Sequence, residues 1–298
     1  MFLPTLICIL SSAIVDPPEG SVPAAEKTTP SCCEPGAVRA RAVSASIVGE
    51  QSQETKGEAT APIAPDVEKV LDLVDRQSAL FRNYRGRISM ETYDDLADET
   101  ERRFGRVWLV APESDNPATR QAAVVFDRLV ESSGRIREKT EHWVYREGIL
   151  SDYDHEAKRL VRRRILDPDE KRDPLRLGEG PIPIPIGQRK EDIVAAFEVS
   201  LAGPVPERLA RRQEGVVGIR LVPRNGTRMA RDEDMASIDY WVRSGDGEPV
   251  AIEVIEKDRD RVAIRFFESA FNEAFGDEAE RWLIAPEVDP ETWRIQDQ

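Results

Sequence analysis

The stretch GEGPIPIPIGQRKEDIVAAF, Gly178–Phe197, constrains the arrangement of the whole chain. Prolines and isoleucines alternate in it from Pro181 to Ile186. Proline fixes φ in the extended range and removes a backbone donor, so this segment can be neither a helix nor a central strand. The pattern predicts a stiff extended ribbon, which we call the proline strap (residues 181–188). Its isoleucines need an apolar surface to cover.

An amphipathic helix is predicted directly after the proline strap. Apolar residues recur at helical spacing over Lys190–Leu201, and Gly203-Pro204 closes the pattern. The simplest interpretation is a rigid linker followed by a core helix. The alternative is that the strap and this helix together close an apolar surface provided by the rest of the chain.

Length and charge limit the class of protein. The chain has 298 residues and a formal net charge of −14, which permits one large domain or two small ones. A nucleic-acid partner is not expected, because binding phosphates requires a concentrated basic surface. The one basic run, Arg162–Arg164, is surrounded by aspartates and is typical of a solvated strand and turn.

The first residues predict export. The run Phe2–Val15 is apolar and uncharged, and it is too short to span a bilayer comfortably. Residues 1–15 are therefore interpreted as a signal peptide or an apolar leader, with a disordered apolar tail as the alternative. Residues 16–65 are polar, rich in proline and without periodicity, so we expect a disordered linker. Residues 66–298 are expected to form a domain that is soluble in the periplasm.

That domain is predicted to be mainly β with some α. One helix is expected over residues 66–85, where apolar residues lie on one helical face. The rhythm then changes to period two, with short turns between segments, which indicates an antiparallel meander. Such a sheet should curl into an incomplete antiparallel β-barrel, a half-barrel with a helical lid. The candidate strands are 87–93, 102–111, 121–130, 136–146, 148–153, 159–166, 216–223, 237–243, 250–257 and 261–268.

The sequence offers no recognisable catalytic or metal-binding motif. The two histidines, His142 and His155, do not share a helical face with carboxylates at metal-ligand spacing. No nucleophile elbow and no phosphate-cradling loop is present. We therefore expect no enzymatic activity, no cofactor and no metal. A hydrolase that uses two facing carboxylates is the alternative from another class.

Several motifs together resemble the periplasmic outer-membrane lipoprotein carrier family (LolA-like, outer-membrane lipoprotein-sorting proteins). They are Gly105-x-x-Trp108-x-x-x-Pro112, Trp143-x-Tyr145, Gly180-Pro-Ile-Pro-Ile-Pro-Ile-Gly-Gln188 and Ile238-x-x-Trp241-Val242. The resemblance covers roughly residues 66–298 and is that of a divergent branch. It implies an incomplete barrel with a helical lid over an apolar cavity, which in the carriers holds the acyl chains of a lipoprotein.

Two departures from the carriers bear on their transport cycle. The carriers have an arginine before the proline of the Trp-x-x-x-Pro motif, where it ties barrel to lid, and Ala111 stands there in this chain. The matching lid segment is helical in the carriers, whereas prolines exclude a helix at Pro181–Pro185. We therefore expect the cavity itself, rather than the carriers' cycle of lid opening and closing, to be retained.

A lipid-binding cavity is the first functional hypothesis, with acyl chains of lipoproteins or other lipids as ligands and membrane-associated donor and acceptor proteins as partners. We expect a monomer. Ordinary core packing explains each candidate residue taken singly, since inward residues of a small barrel fill it. The second hypothesis is an envelope sensor or interaction module of the same fold that binds a protein. The candidate lining residues are Trp108, Val125, Trp143, Ile182, Ile184, Ile186, Phe197, Trp241, Val254, Ile264 and Phe266.

Overall fold

The described part of the chain contains a twelve-stranded sheet, one longer and two short α-helices and a 3-10 helix at Pro117–Thr119 in a computed structural model. It describes residues 63–113, 116–167, 169–170, 172–173, 175–177, 184–210, 214–227, 230 and 235–298. The predicted leader and most of the predicted linker lie outside these residues. So do residues 181–183, the first part of the proline strap.

The strands follow the order β12-β6-β5-β4-β3-β2-β1-β11-β10-β9-β8-β7. All neighbours are antiparallel except β12, which runs parallel to β6. The strands are β1 (Asn83–Asp94), β2 (Glu99–Val110), β3 (Gln121–Val130), β4 (Ile136–Arg146), β5 (Ile149–Asp154), β6 (Arg159–Arg164), β7 (Phe197–Leu201), β8 (Val216–Pro223), β9 (Met235–Arg243), β10 (Pro249–Glu256), β11 (Arg261–Phe271) and β12 (Arg294–Asp297).

Two meanders are joined into this one sheet. Strands β1–β6 form the first and β7–β11 the second, and β1 pairs with β11 to connect them. The sheet does not close, because β12 and β7 are its two edges. The predicted fold class, mainly β with an incomplete antiparallel barrel, is confirmed.

The long helix α1 (Pro65–Leu80) forms where its apolar stripe predicts it. Its buried residues recur every three or four positions, Val67, Val70, Leu71 and Val74. Pro65 opens the helix with a φ that suits the first turn, and acidic residues follow in that turn, where the helix dipole favours them. The helix ends five residues earlier than predicted, and β1 begins at Asn83.

The helix predicted over 190–201 is only half present. Helix α2 covers Lys190–Ala196, and Phe197–Leu201 forms the edge strand β7 beside β8. Phe197, Val199 and Leu201 also alternate with polar residues, so this stretch fits both periods. Pairing with β8 decided the outcome, as tertiary context commonly does.

The C-terminal residues return across the sheet. Helix α3 (Asp277–Leu283) packs on β3 and β4, and β12 pairs with β6. Strand β11 continues to Phe271, beyond the end of the strand predicted over 261–268.

Both faces of the sheet are covered. The face we call inner meets α1, α2 and the end of the proline strap, and it carries the largest buried apolar cluster. The outer face is covered by α3 with the C-terminal residues and, separately, by residues 202–210. Residues of β4 and of β11 contact the same small space inside, although four strand spacings, about 19 Å, separate these strands along the sheet. The sheet therefore curls around its inner face.

Candidate functional site: an apolar interior under the proline strap

Eight apolar and aromatic side chains surround a small chamber on the inner face. Seven of them come from four strands, and Ile184 of the proline strap closes the chamber from above. Phe126 and Trp143 meet edge to face, with ring centroids 5.2 Å apart. The lining residues are Ile88, Met90, Val124, Phe126, Trp143, Ile184, Ile264 and Phe266.

The chamber is almost filled by its own side chains. Its free volume is about 10 Å³, which is at most enough for one water molecule. Ile184 and Ile186 are 2% and 1% exposed, so the strap inserts into the core. An acyl chain can enter only if these isoleucines move out.

A buried arginine fastens the strap to the sheet. Arg120, just before β3, donates from Nη1 to the carbonyl of Ile186 at 3.1 Å and from Nη2 to that of Gly187 at 3.2 Å. Its guanidinium also pairs with Asp173 at 3.1 Å and lies over the ring of Phe81. Burial is the larger influence on both charged groups: it lowers the pKa of Arg120 and raises the pKa of Asp173, and each partner's charge acts in the opposite direction.

Arg120 lies across the β2–β3 pair from Ala111, the position that corresponds to the arginine of the carriers. Val110 pairs with Gln121, so Ala111 and Arg120 are the next residues beyond that pair. Ala111 is partly buried against the inner cluster, and its amide donates to the carbonyl of Arg82. The connection between sheet and strap is thus present, but it comes from the neighbouring strand.

Gly187 is required at the position where Arg120 binds the backbone of the strap. Its φ is +75°, a backbone conformation that side chains disfavour. A Cβ there would lie 3.0 Å from Arg120 Nη2 and 3.0 Å from Phe81 Cδ1. The glycine therefore allows the strap's backbone to reach the guanidinium.

Two further contacts anchor the strap's C-terminal end. Gln188 is buried and donates to the carbonyl of Leu175 at 2.9 Å, while its Oε1 accepts from the amide of Leu177 at 3.1 Å. Lys190 ties α2 to α1, since its amide donates to Asp75 and its Nζ contacts Asp72 at 2.7 Å. From Ile186 to α2, polar contacts of side chains hold the strap in place.

Charged residues continue the inner face beyond the chamber. Arg103 is only 7% exposed and pairs with Glu141 at 3.2 Å and Glu101 at 3.0 Å. Lys139 bridges Glu141 at 2.6 Å and Asp154 at 3.1 Å. Arg103 is opposite Met90, and Glu141 is opposite Phe126, so this charged rim adjoins the apolar chamber directly.

The rim bears on the hydrolase alternative, because it contains facing carboxylates. Glu141 and Asp154 are cross-strand partners, but Lys139 lies between them. Burial raises the pKa of Asp154, and the Ala157 amide and Lys139 outweigh it, so the net pKa is lowered. Burial, and then the charge of Glu141, raise the pKa of Asp152 to about 6. The bridging lysine makes this a salt-bridge network rather than a carboxylate pair with a water between its members.

The structure brings seven of the predicted lining residues together. Trp143, Ile184, Ile264 and Phe266 line the chamber itself. Ile186, Phe197 and Val254 are buried in the same inner cluster. Ile182 lies outside the described residues.

Three predicted residues lie on the outer face instead. Trp108 and Val125 pack under α3 and the C-terminal residues, and Trp241 packs under residues 202–210. Successive side chains of a strand point to opposite faces. Polar residues in phase with these three, such as Arg106, Asp127 and Arg243, mark their side of each strand as the outer one. They therefore cannot line the chamber.

Four lining residues were missed. Ile88 and Met90 were not singled out because β1 carries no conspicuous motif. Val124 and Phe126 flank Val125 and were passed over when the wrong face was chosen. The polar residues that alternate with these four along β1 and β3 would have identified all four as inward-facing. No local signal pointed to Arg120 or Arg103.

A group of acids at the turn between β10 and β11 has oxygens within 4.8 Å of one another: Glu256, Asp258 and Asp260. Oxygens of two of the three acids already accept hydrogen bonds from backbone amides. Asp258 accepts from the amide of Asp260, and Asp260 accepts from the amide of Asp95. The group is accounted for as turn chemistry.

The chain is similar to several solved structures. They include a putative outer membrane lipoprotein-sorting protein domain from Vibrio parahaemolyticus, 11% identical over 71% of this chain and 96% of that one, with a TM-score of 0.33. A LolA superfamily protein from Nitrosomonas europaea is 11% identical over 71% and 96%, with a TM-score of 0.30. MucB of Pseudomonas aeruginosa, in its complex with MucA, is 17% identical over 74% and 61%, with a TM-score of 0.35.

Proteins of the family that the sequence resembles are thus among the solved structures to which the chain is similar. No protein-family model and no curated protein matches the chain. In the part of the chain that the structure describes, none of the helices has the length and apolar character needed to cross a membrane.

Proposed function

We propose that the chain is a non-enzymatic periplasmic binder or carrier of acyl chains, those of lipoproteins or of other lipids. The observation that carries this is the chamber on the inner face, lined by apolar side chains only and closed by the proline strap. Acyl chains offer no polar group to recognise, so a carrier needs apolar surface and no catalytic group. The periplasmic location rests on the apolar stretch of residues 2–15.

Opening the chamber has a cost that only a long chain can offset. Re-exposing Ile184 and Ile186 costs about 3–6 kcal/mol. Releasing the two hydrogen bonds of the Arg120 guanidinium costs about 3 kcal/mol more. Each buried methylene returns about 0.8 kcal/mol, so about ten methylenes are needed to balance the opening.

A series of saturated acyl chains tests the proposal on the full chain. We expect chains of eight carbons to fail, and chains of sixteen to displace a fluorescent apolar probe, diphenylhexatriene, from the protein. Leu96→Asp, a change at a side chain that is 98% exposed, should bind like the wild type. If no chain length displaces the probe, acyl binding is excluded.

The closed interior favours one alternative, a protein-binding module of the same fold. A chamber of about 10 Å³ suits a scaffold whose core is permanently packed. In that case the strap would remain closed with every acyl chain. The same series therefore distinguishes the two functions.

A further inference from the structure

Two buried polar atoms beside the chamber have no hydrogen-bond partner among the described residues. They are Arg103 Nη1 and Thr92 Oγ1. A buried donor without a partner is destabilising, so natural proteins keep few of them, and those few call for an explanation. Arg103 belongs to the charged rim of the inner face, and Thr92 is the cross-strand partner of Glu101 in that rim.

The two side chains are neighbours on the same face. Thr92 pairs with Glu101 and Met90 pairs with Arg103, which makes Thr92 and Arg103 diagonal partners, about 7 Å apart. Both are in phase with Ile88 and Met90, which line the chamber. A ligand in the chamber would therefore have one end at these two donors.

The charges around Arg103 decide which ligand group suits them. Arg103 and Lys139 contribute two positive charges, whereas Glu101, Glu141 and Asp154 contribute three negative ones. A carboxylate or phosphate placed there would be repelled by the surplus. A neutral oxygen acceptor, such as a carbonyl, meets no such penalty and still accepts from both donors.

From these observations we propose that Arg103 and Thr92 form a subsite for the neutral carbonyl of an acyl ester or amide. The acyl chain then runs from this carbonyl along the inner face towards Tyr84. The segment of β1 from Met90 to Tyr84 is about 20 Å long. One leaflet of a bilayer's hydrocarbon core is about 15 Å thick, so this segment is long enough to accompany an extended acyl chain. This inference rests on the proposed function, and it adds the orientation and the linkage chemistry of the ligand.

Competition against diphenylhexatriene on the full chain tests the subsite. The competitors are methyl palmitate, palmitate and hexadecane, which share a long chain and differ at one end. We expect methyl palmitate to compete about tenfold better than hexadecane, since one charge-assisted hydrogen bond is gained. Palmitate should compete less well than its ester.

Variants then locate the effect. Arg103→Met should abolish the preference for the ester, so that methyl palmitate and hexadecane compete equally well against the probe. Arg106→Met is the matched control on the same strand, because Arg106 is on the outer face near Asp127. Thr92→Val should reduce the preference for the ester about threefold. If Arg103→Met does not fold, Thr92→Val and Arg103→Lys test the subsite in its place.

The outcomes separate the two claims. If the probe binds but all three competitors perform alike, or if Arg103→Lys and Thr92→Val leave the ester preference intact, the subsite is overturned while acyl binding stands. If palmitate competes best, the subsite binds anions and the proposed neutral carbonyl is wrong. If the probe does not bind at all, the proposed function itself fails.

Discussion

The two faces of the sheet are both covered, but by different kinds of contact. On the outer face, β12 pairs with β6 through its main chain, and the carbonyls of Trp282 and Pro286 accept from His142 and Tyr153. On the inner face, the described end of the proline strap is held by side chains, chiefly those of Arg120 and Gln188. A cover that is also paired into the sheet through its main chain is harder to release than one whose polar contacts come from a few side chains. The difference indicates which face is built to open.

A matched pair of tryptophans gives the largest expected effect. Trp108 on the outer face and Trp143 on the inner face are 4% and 6% exposed. Changing either to alanine should lower the free energy of unfolding by about 3–5 kcal/mol. Only Trp143→Ala enlarges the chamber, so only that variant should bind diphenylhexatriene more tightly than the wild type.

Denaturant unfolding and probe titration on both variants make this comparison. Equal gains in probe binding for Trp108→Ala and Trp143→Ala would show that the faces do not differ in the way described. A gain in neither variant, with both folded, would mean that the chamber cannot be enlarged into a binding site.

The alternation in the sequence predicts the two faces of the strands correctly, whereas three of the lining candidates chosen from it lie on the outer face. Alternation located ten strands, and polar residues in phase with Trp108 and Trp241 marked those two as outward. Large aromatic residues were preferred as lining candidates for their size, although the face follows from position. The contact of Arg120 with the strap joins residues 66 positions apart, so no local pattern could reveal it. The same holds for Arg103 and Glu141.

The strap's attachment should break without unfolding the sheet. Arg120→Met combined with Asp173→Asn removes both charges, so neither is left buried alone. We expect a loss of about 2–3 kcal/mol in unfolding free energy, from the lost hydrogen bonds to the Ile186 and Gly187 carbonyls. Hydrogen exchange should accelerate over residues 184–188.

Exchange over β12 and β6 provides the internal control for that variant. It should remain as slow as in the wild type, because main-chain pairing holds the outer cover. Equal acceleration at both sites would mean that the arginine supports the fold as a whole.

The smallest expected effect is on the outer face, where His142 makes the stability of the fold depend on pH. His142 is fully buried, and its Nε2 donates to the carbonyl of Trp282, which leaves Nδ1 without a partner among the described residues. Burial lowers the pKa of His142 from its ordinary 6.5 to about 4. Between these values the unfolded chain binds more protons, so His142 makes stability fall as pH falls from about 6.5 to 4.

The variant His142→Gln isolates this contribution, on the order of 2 kcal/mol. Glutamine retains a donor for the Trp282 carbonyl and does not titrate. Asp152, whose pKa is raised to about 6, acts with the opposite sign, since its protonation favours the folded state. On going from pH 7 to pH 4.5, the unfolding midpoint of His142→Gln should therefore fall less than that of the wild type, or rise. An unchanged difference would place the pH dependence elsewhere.

Native mass spectrometry of the full chain, purified from a cell envelope, tests most directly whether the inner face opens for acyl chains. We expect the wild type and the Leu96→Asp control to carry a stoichiometric acylated species that organic extraction releases. Ile184→Asp, which places a carboxylate at the chamber, should lose it. A wild-type protein that is empty, and that also fails to take up a sixteen-carbon chain, would contradict the account.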